Sequence, residues 1–280
     1  MKIGYQGVNG SFSQMAVNRY FAGREYEEKT YSDFNDMFID VAEGKLDYGM
    51  FPVENTTTGI ITRTYDLFQY YDLHAVGEVI VPVDQNLIGF PGAKIEEIRG
   101  VYSHPEAIAQ CQSFFKNNSH VRPIVYEDTA LSVKYVKESG DHRKAAIASK
   151  LAAEQNGMEI LMPKIQDNVH NMTRFLCVTA KNEEVEDADK ISIMMVLKHS
   201  HDPGALYHTL GIFASKNLNI VKLESRPIFG KVFEYCFYLD FLGNPKDPDV
   251  IEVLRRLEYD CQSVKVFGAY KADRSVLTHQ

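Results

Sequence analysis

Hydrophobic and polar positions alternate along this chain in two distinct rhythms. After Asp33, Phe34, Met37, Phe38 and Val41 recur at helical spacing and predict a helix capped by that aspartate. Short apolar runs at Asp47–Phe51, Val76–Val83, Val101–Tyr102 and Ala145–Ser149 read instead as buried strands. The 47–51 strand is expected to break at Pro52, and Pro82 interrupts the β-branched run that contains it. Helices are expected after Gly10-Ser11-Phe12-Ser13, after Gly59 through Tyr65, Leu67 and Phe68, after Ser103-His104-Pro105 through Ile108, Cys111 and Phe115, and through Ala152. The repeated βα order predicts a mostly parallel α/β sheet. Two such sheets, with a strand near Thr173 returning to the first, make a two-lobed clamp.

The rhythm then changes. Lys181-Asn182-Glu183-Glu184-Val185-Glu186-Asp187-Ala188-Asp189-Lys190 is acidic and nearly free of apolar residues, and reads as a solvated tether. Beyond it, a strand over 191–197, a helix over 203–214, strands over 218–224 and 233–241, a helix over 248–257 and a strand over 263–267 spell β-α-β-β-α-β. That is the ferredoxin-like order. Aromatics on both faces of the 233–241 strand suggest that both faces are covered.

Composition narrows the function classes. At 280 residues the length suits two domains, and a hydrophobic share of 45% with a charged share of 24% is that of a soluble globular protein. A net charge of −8 gives no basic footprint for nucleic acid. No run nears the roughly 18 apolar residues of a membrane span. Met1–Gln6 enters a strand pattern without a signal-type apolar stretch, so the expected location is the cytoplasm. Cys111, Cys177, Cys236 and Cys261 lack C-x-x-C spacing and read as buried free thiols. His199 and His201 flank Ser200 and read as surface residues, and no metal is expected.

Five places carry candidate chemistry. At Gly10–Ser13, a glycine turn feeds a helix start whose N–H groups favour a carboxylate, unless Ser11 is a plain cap. At Glu54-Asn55-Thr56-Thr57-Thr58-Gly59, polar groups crowd the C-terminal end of a strand, where open α/β sheets bind ligands. At Ser103-His104-Pro105-Glu106, Ser103 either bonds a ligand or caps the helix, and Gln110 lies one to two turns in. At Thr173-Arg174-Phe175, a hydroxyl sits beside a planar cationic fork suited to a carboxylate. The alternative there is an arginine paired to an aspartate such as Asp167. In the second unit, Gly204-Ala205-Leu206 opens a helix with small residues, and Glu224-Ser225-Arg226-Pro227 ends a strand.

Taken together and in this order, these motifs resemble the bacterial-type prephenate dehydratase family with a C-terminal ACT regulatory domain. The resemblance covers nearly the whole length. It rests on Gly7–Ser13, on Pro52-Val53-Glu54-Asn55, on Tyr102-Ser103-His104-Pro105, on Ala145–Ser149, on Asn171-Met172-Thr173-Arg174-Phe175 and on the two blocks of the second unit. Tyr5-Gln6-Gly7-Val8, Glu106 and Tyr207 depart from the family pattern, the first toward arogenate-type relatives. The resemblance implies a periplasmic-binding-protein-like catalytic domain of two lobes over 1–181 and an ACT domain over 190–272. It implies conversion of prephenate to phenylpyruvate with loss of carbon dioxide and water, without a cofactor, under feedback by L-phenylalanine. Arogenate as substrate, or a non-catalytic anion sensor, are the alternatives. The resemblance places Asn55, Ser103 and Gln110 in the active site; Thr173 is expected to bond the departing hydroxyl and Arg174 to hold a carboxylate there, with Ser11, Phe12, Glu54, Thr56 and Phe175 contacting substrate. Gly204, Ala205, Leu206, Glu224, Ser225, Arg226 and Pro227 would bind phenylalanine, and a homodimer or homotetramer is expected.

Overall fold

The computed structural model describes residues 1–198 and 200–275, so His199 lies outside the described residues. The chain forms two compact units interleaved in sequence. Unit 1 comprises Met1–Met37, Met50–Ile61 and Ile80–Phe175, and unit 2 comprises Phe38–Gly49, Thr62–Val79 and Leu176–Gln280.

Unit 1 holds strands of two sheets, of which the βα pattern predicts a mostly parallel pairing. In the first, β1 (Lys2–Gln6) pairs in parallel with β2 (Glu27–Tyr31), Lys2 opposite Glu27 and Gln6 opposite Tyr31. β3 (Tyr48–Asn55) follows β1 across the sheet, then β11 (Met172–Thr179); β5 (His74–Pro82) belongs to unit 2 up to Val79. β3 therefore runs through Pro52 rather than breaking there. Proline fixes φ near an extended value and removes only its own N–H from the ladder. Met50, Phe51 and Val53 are each 0% exposed and keep the strand in place. Glu54 and Asn55 thus become strand residues. Gly59, at φ +81°, turns the chain into the short antiparallel strand β4 (Gly59–Ile60), and the helix expected after Gly59 starts only at Thr62.

The second sheet has the order β10-β6-β9-β7-β8, from β6 (Asn86–Gly89), β7 (Gly100–Ser103), β8 (Arg122–Val125), β9 (Lys144–Ala148) and β10 (Glu159–Met162). β7 is parallel to both β8 and β9, whereas β6 runs antiparallel to β9 and β10, so the sheet is mixed. Helix α6 (Thr129–Ser139) packs on it through Val133 and Val136, beside α7 (Lys150–Asn156) with Ala152 and Ala153. Helix α1 (Phe12–Tyr20) starts against α7: a side chain at Gly10 would lie 2.8 Å from the Ala152 Cα, and the Ser149 hydroxyl donates to the Gly10 carbonyl at 2.5 Å. Glycine is required at position 10 for that approach and for its φ of +88°.

Unit 2 contains β12 (Lys190–Leu197), α8 (Ala205–Ala214), β13 (Ile220–Pro227), β14 (Tyr235–Leu242), α9 (Pro248–Asp260) and β15 (Cys261–Tyr270). The strands lie in the order β13-β14-β12-β15, the ferredoxin-like arrangement, and their neighbours are antiparallel. One face buries Ile193, Met195, Leu239 and Phe241 against Phe213 of α8 and Val253 and Leu257 of α9. The other face is covered as well. Tyr238 packs on Tyr65 of α3 (Thr62–Leu67) with centroids 4.9 Å apart, and Phe267 lies 4.6 Å from Phe68. The Tyr238 hydroxyl donates to the Tyr65 carbonyl at 2.7 Å. In the same unit Lys190 and Glu78 form a buried ion pair at 2.9 Å.

The acidic stretch is not a free tether. Glu183 accepts from Tyr48, Glu184 meets Lys246 at 2.6 Å, and Asp189 meets Arg274 at 2.7 Å and Lys271 at 3.1 Å. Each surface pair contributes little alone. The run is polar because its carboxylates have cationic and phenolic partners within unit 2, a fact that composition does not reveal. No helix among the described residues is long and apolar enough to cross a membrane.

Candidate active site

The strand ends of β3 and β11 bring the strongest candidates together in unit 1. The backbone fixes their register: Thr56 N–H donates to the Met172 carbonyl at 2.9 Å, and Val83 N–H donates to the Asn171 carbonyl at 2.8 Å. Across this register the side chains pair in succession. The Asn55 amide Nδ2 donates to Thr173 Oγ1 at 2.9 Å, and Arg174 Nε lies 3.3 Å from Glu54 Oε2. Successive strand residues leave opposite faces. The hydroxyl and the guanidinium are therefore offered from different sides of the strand, not side by side as adjacency in sequence suggests. The partner of Arg174 is Glu54, not Asp167. Asp167 caps the helix α5 (Gln112–Asn117), accepting from Gln112 N–H at 2.9 Å and Ser113 N–H at 3.0 Å.

Asn55 is the hinge of the arrangement. Its Oδ1 accepts from the backbone N–H groups of Thr57 at 2.8 Å and Thr58 at 3.0 Å. Those donors cannot be reversed, so the amide orientation is fixed. Nδ2 must face the other way, toward Asn171 Oδ1 at 2.8 Å and Thr173 Oγ1. Because Thr173 Oγ1 accepts from Asn55, its own proton is free to be donated elsewhere. Both residues are only 8% exposed, so the hydroxyl acts in a setting with little competing water.

Gln110 joins from the second sheet. It is the C-cap of α4 (Pro105–Ala109), and its carbonyl accepts from Asp167 N–H at 2.7 Å. Its side-chain Oε1 accepts from Asn171 Nδ2 at 3.0 Å and from Gln85 Nε2 at 3.2 Å. Gln85, 3% exposed, and Asn171, 2% exposed, complete a continuous row of amides. Asn171 stands in the motif that the sequence singles out, but without a role there. Gln85 escapes the sequence reading altogether. Its signal is a polar triplet, Asp84-Gln85-Asn86, between apolar runs.

The remaining candidates stand apart from this row. Ser103 is wholly buried at the end of β7, and its hydroxyl donates to the Ile147 carbonyl at 2.7 Å. Nor does Ser103 cap α4: His104 does, accepting from Glu106 N–H through its ring nitrogen. Ser11 caps α1 by accepting from Gln14 N–H at 3.3 Å. Thr56 is exposed, with its hydroxyl on the His170 carbonyl at 2.8 Å, and Phe175 is buried in β11. Burial, with the Asp167 charge adding to it, pushes the Cys111 thiol beside Gln110 up to about 12, so it is no nucleophile. Among the described residues no cluster of histidine, cysteine and carboxylate groups could hold a metal ion.

The second-unit motifs divide. Gly204, at φ +83°, precedes α8, and Ala205 lines a cavity of about 370 Å³ with Lys198, Asp202, Pro203, His208 and Asp260. Tyr207 is 76% exposed and does not line that cavity. Glu224 and Ser225 lie on the edge strand β13. Arg226 there makes a two-pronged ion pair with Asp66 of α3, at 3.0 and 2.8 Å.

A sequence model of the prephenate dehydratase domain matches residues 3–183. The bifunctional chorismate mutase/prephenate dehydratase of Aquifex aeolicus is 35% identical over 271 residues, covering 96% of this chain and 73% of the relative. The solved structure of a prephenate dehydratase from Arthrobacter aurescens in complex with L-Phe superposes with a TM-score of 0.87 at 28% identity, over 97% of this chain and 90% of that one. A structure described as GqqA, a quorum-quenching acylase, superposes with a TM-score of 0.88 at 28% identity, over 99% of this chain and 100% of that one.

Proposed function

The chain belongs to the prephenate dehydratase family, and we propose that it converts prephenate to phenylpyruvate at the Thr173 site. The observation that carries this reading is the Asn55–Thr173 hydrogen bond, in which the threonine oxygen accepts and its proton stays available for donation. Prephenate carries two carboxylates at one end of its ring and a hydroxyl on the opposite ring carbon. As the ring carboxylate leaves as carbon dioxide, its bonding pair enters the ring. The C–O bond at the far end breaks, and the oxygen departs with its pair as hydroxide, which takes a proton from solvent to become water. Aromatisation drives the step. The Thr173 hydroxyl hydrogen-bonds the departing oxygen and stabilises the charge that develops there. It is too weak an acid to supply the proton outright.

Arg174, oriented by Glu54, holds one carboxylate through its fork. Gln110 orients the ring from the second sheet. Ser11 and Phe12 at the start of α1, together with Thr56, complete the binding surface. Ser103 supports the second sheet through its bond to Ile147. Acyl transfer, the activity of the acylase likeness, requires a hydroxyl paired with a base. The hydroxyl of Thr173 meets an amide N–H and that of Ser103 meets a backbone carbonyl, which does not support that chemistry.

Residues 1–181 act as the catalytic domain and 190–272 as an ACT domain that inhibits the enzyme when L-phenylalanine binds. The cavity at Ala205 offers Lys198 for a carboxylate and Asp202 and Asp260 for an ammonium. Glu224 to Pro227 transmit occupancy through the Arg226–Asp66 pair to α3. The exposed edge strand β13, with Val221 and Leu223 outward, favours pairing of copies into a homodimer or homotetramer. The enzyme would work in the cytoplasm.

The test is the rate of phenylpyruvate formation by wild type, Thr173→Ser and Thr173→Val, with arogenate as a second substrate. The serine variant should keep most of the activity and the valine variant should lose it. A folded valine variant as fast as wild type would remove the hydroxyl from the mechanism.

A further inference from the structure

The row of amides has a direction, and that direction begins at the backbone. The N–H groups of Thr57 and Thr58 fix Asn55 Oδ1 toward themselves. Asn55 Nδ2 must then face Asn171, so Asn171 presents Oδ1 to Asn55 and Nδ2 to Gln110. Gln110 answers with Oε1, which also receives Gln85 Nε2. An amide is nearly symmetric in shape, and its orientation is set by its partners. With Oε1 facing two donors, Gln110 Nε2 is left pointing away from the row, as a donor.

We propose that Asn171 is the positioning residue that sets this polarity, so that Gln110 presents a donor and not an acceptor to the substrate. This rests on the dehydratase reading and deepens it. Asn171 is the link between Asn55 at the end of β3 and Gln110 at the end of α4. A reversal at Asn171 reverses what Gln110 shows. Gln85 makes the row reversible at its far end. Among the described residues its buried Oε1 has no hydrogen-bond partner, so it gains one if both amides turn over and Gln110 offers Nε2.

Asn171→Asp tests the direction. An ionised aspartate still accepts from Asn55 but cannot donate to Gln110. Gln110 then turns, bonds the introduced carboxylate and Gln85 through Nε2, and shows Oε1 to the substrate. Once protonated, that carboxyl can again donate to Gln110 and restores the original direction. The variant should therefore lose about tenfold or more in kcat/KM at neutral pH, and regain much of it as pH falls. Asn171→Ala, which lacks both ends, should lose activity without any acid recovery relative to wild type. The titratable groups around the row are Asp84, Asp167, His170, Cys111 and the Glu54–Arg174 pair. All are common to wild type and variants, so a limb found only in Asn171→Asp belongs to the new carboxyl.

A wild type that turns over prephenate, with an Asn171→Asp variant that is fully active or whose loss is the same at every pH, overturns this inference alone. A wild type without turnover overturns the dehydratase reading instead. If circular dichroism shows Asn171→Asp unfolded, Gln110→Glu asks the same question: ionised, it has no donor for substrate, and activity should recover as it protonates. A Gln110→Glu profile parallel to wild type overturns the proposal.

Discussion

The surroundings of Thr173 and those of Arg226 are held together by different physics. Around Thr173 the contacts run through neutral amides, Asn55, Asn171, Gln110 and Gln85, with one ion pair at Arg174–Glu54. In unit 2 the comparable contacts are charged: Arg226–Asp66, Lys190–Glu78, and the carboxylates of the acidic stretch with their lysines and arginine. Amide rows are directional and barely respond to salt. Ion pairs are less directional and are weakened by it. A reaction that needs one proton aimed at one oxygen suits the first, and an adjustable grip suits the second.

Four substitutions sharpen this contrast. The largest effect is expected in unit 2, on stability. Glu78→Ala leaves Lys190 buried without its carboxylate and should cost about 3–5 kcal/mol, read from the denaturant midpoint. A cost below about 1 kcal/mol would show that the pair is effectively solvated. Next, Asn55→Ala removes the donor that orients Thr173, and kcat should fall about 10²–10³-fold. That loss should be the same at low and high salt, and a salt-dependent loss would break the contrast. Arg174→Lys keeps the charge but loses the fork, so KM should rise about tenfold, a change of roughly 1.4 kcal/mol. An unchanged KM with a lowered melting temperature would make Arg174 only the partner of Glu54. The smallest effect is that of Asp66→Asn. The Arg226–Asp66 pair is partly exposed, worth about 1 kcal/mol or less, so the phenylalanine response should weaken only a few-fold. Basal turnover should stay unchanged. High salt should mimic the substitution in wild type, and an equally salt-sensitive variant would remove Asp66 from the coupling.

Much of this is legible in the sequence. The ferredoxin-like order of the second unit follows from strand and helix rhythm, and the helix after Asp33 from its apolar stripe. The motif blocks lead to Asn55, Gln110 and Thr173, which the fold brings into one network. What escapes is three-dimensional. Periodicity marks the buried faces of Tyr65 and Phe68, yet cannot say that they pack on Tyr238 and Phe267, when Tyr65 and Tyr238 stand 173 positions apart. It offers Ser103 as a helix cap, although the hydroxyl reaches across to Ile147 on a neighbouring strand. It gives Thr173 and Arg174 as neighbours, although strand alternation separates them. The polarity of an amide is set by its partners, so no reading of Asn171 alone could supply it.

The most direct test is product analysis of the 280-residue chain supplied with prephenate. Phenylpyruvate and carbon dioxide should form in equal amounts, at a rate that falls as L-phenylalanine is added. Saturable binding of prephenate without either product would contradict it, and would make the chain a sensor built on an enzyme's fold.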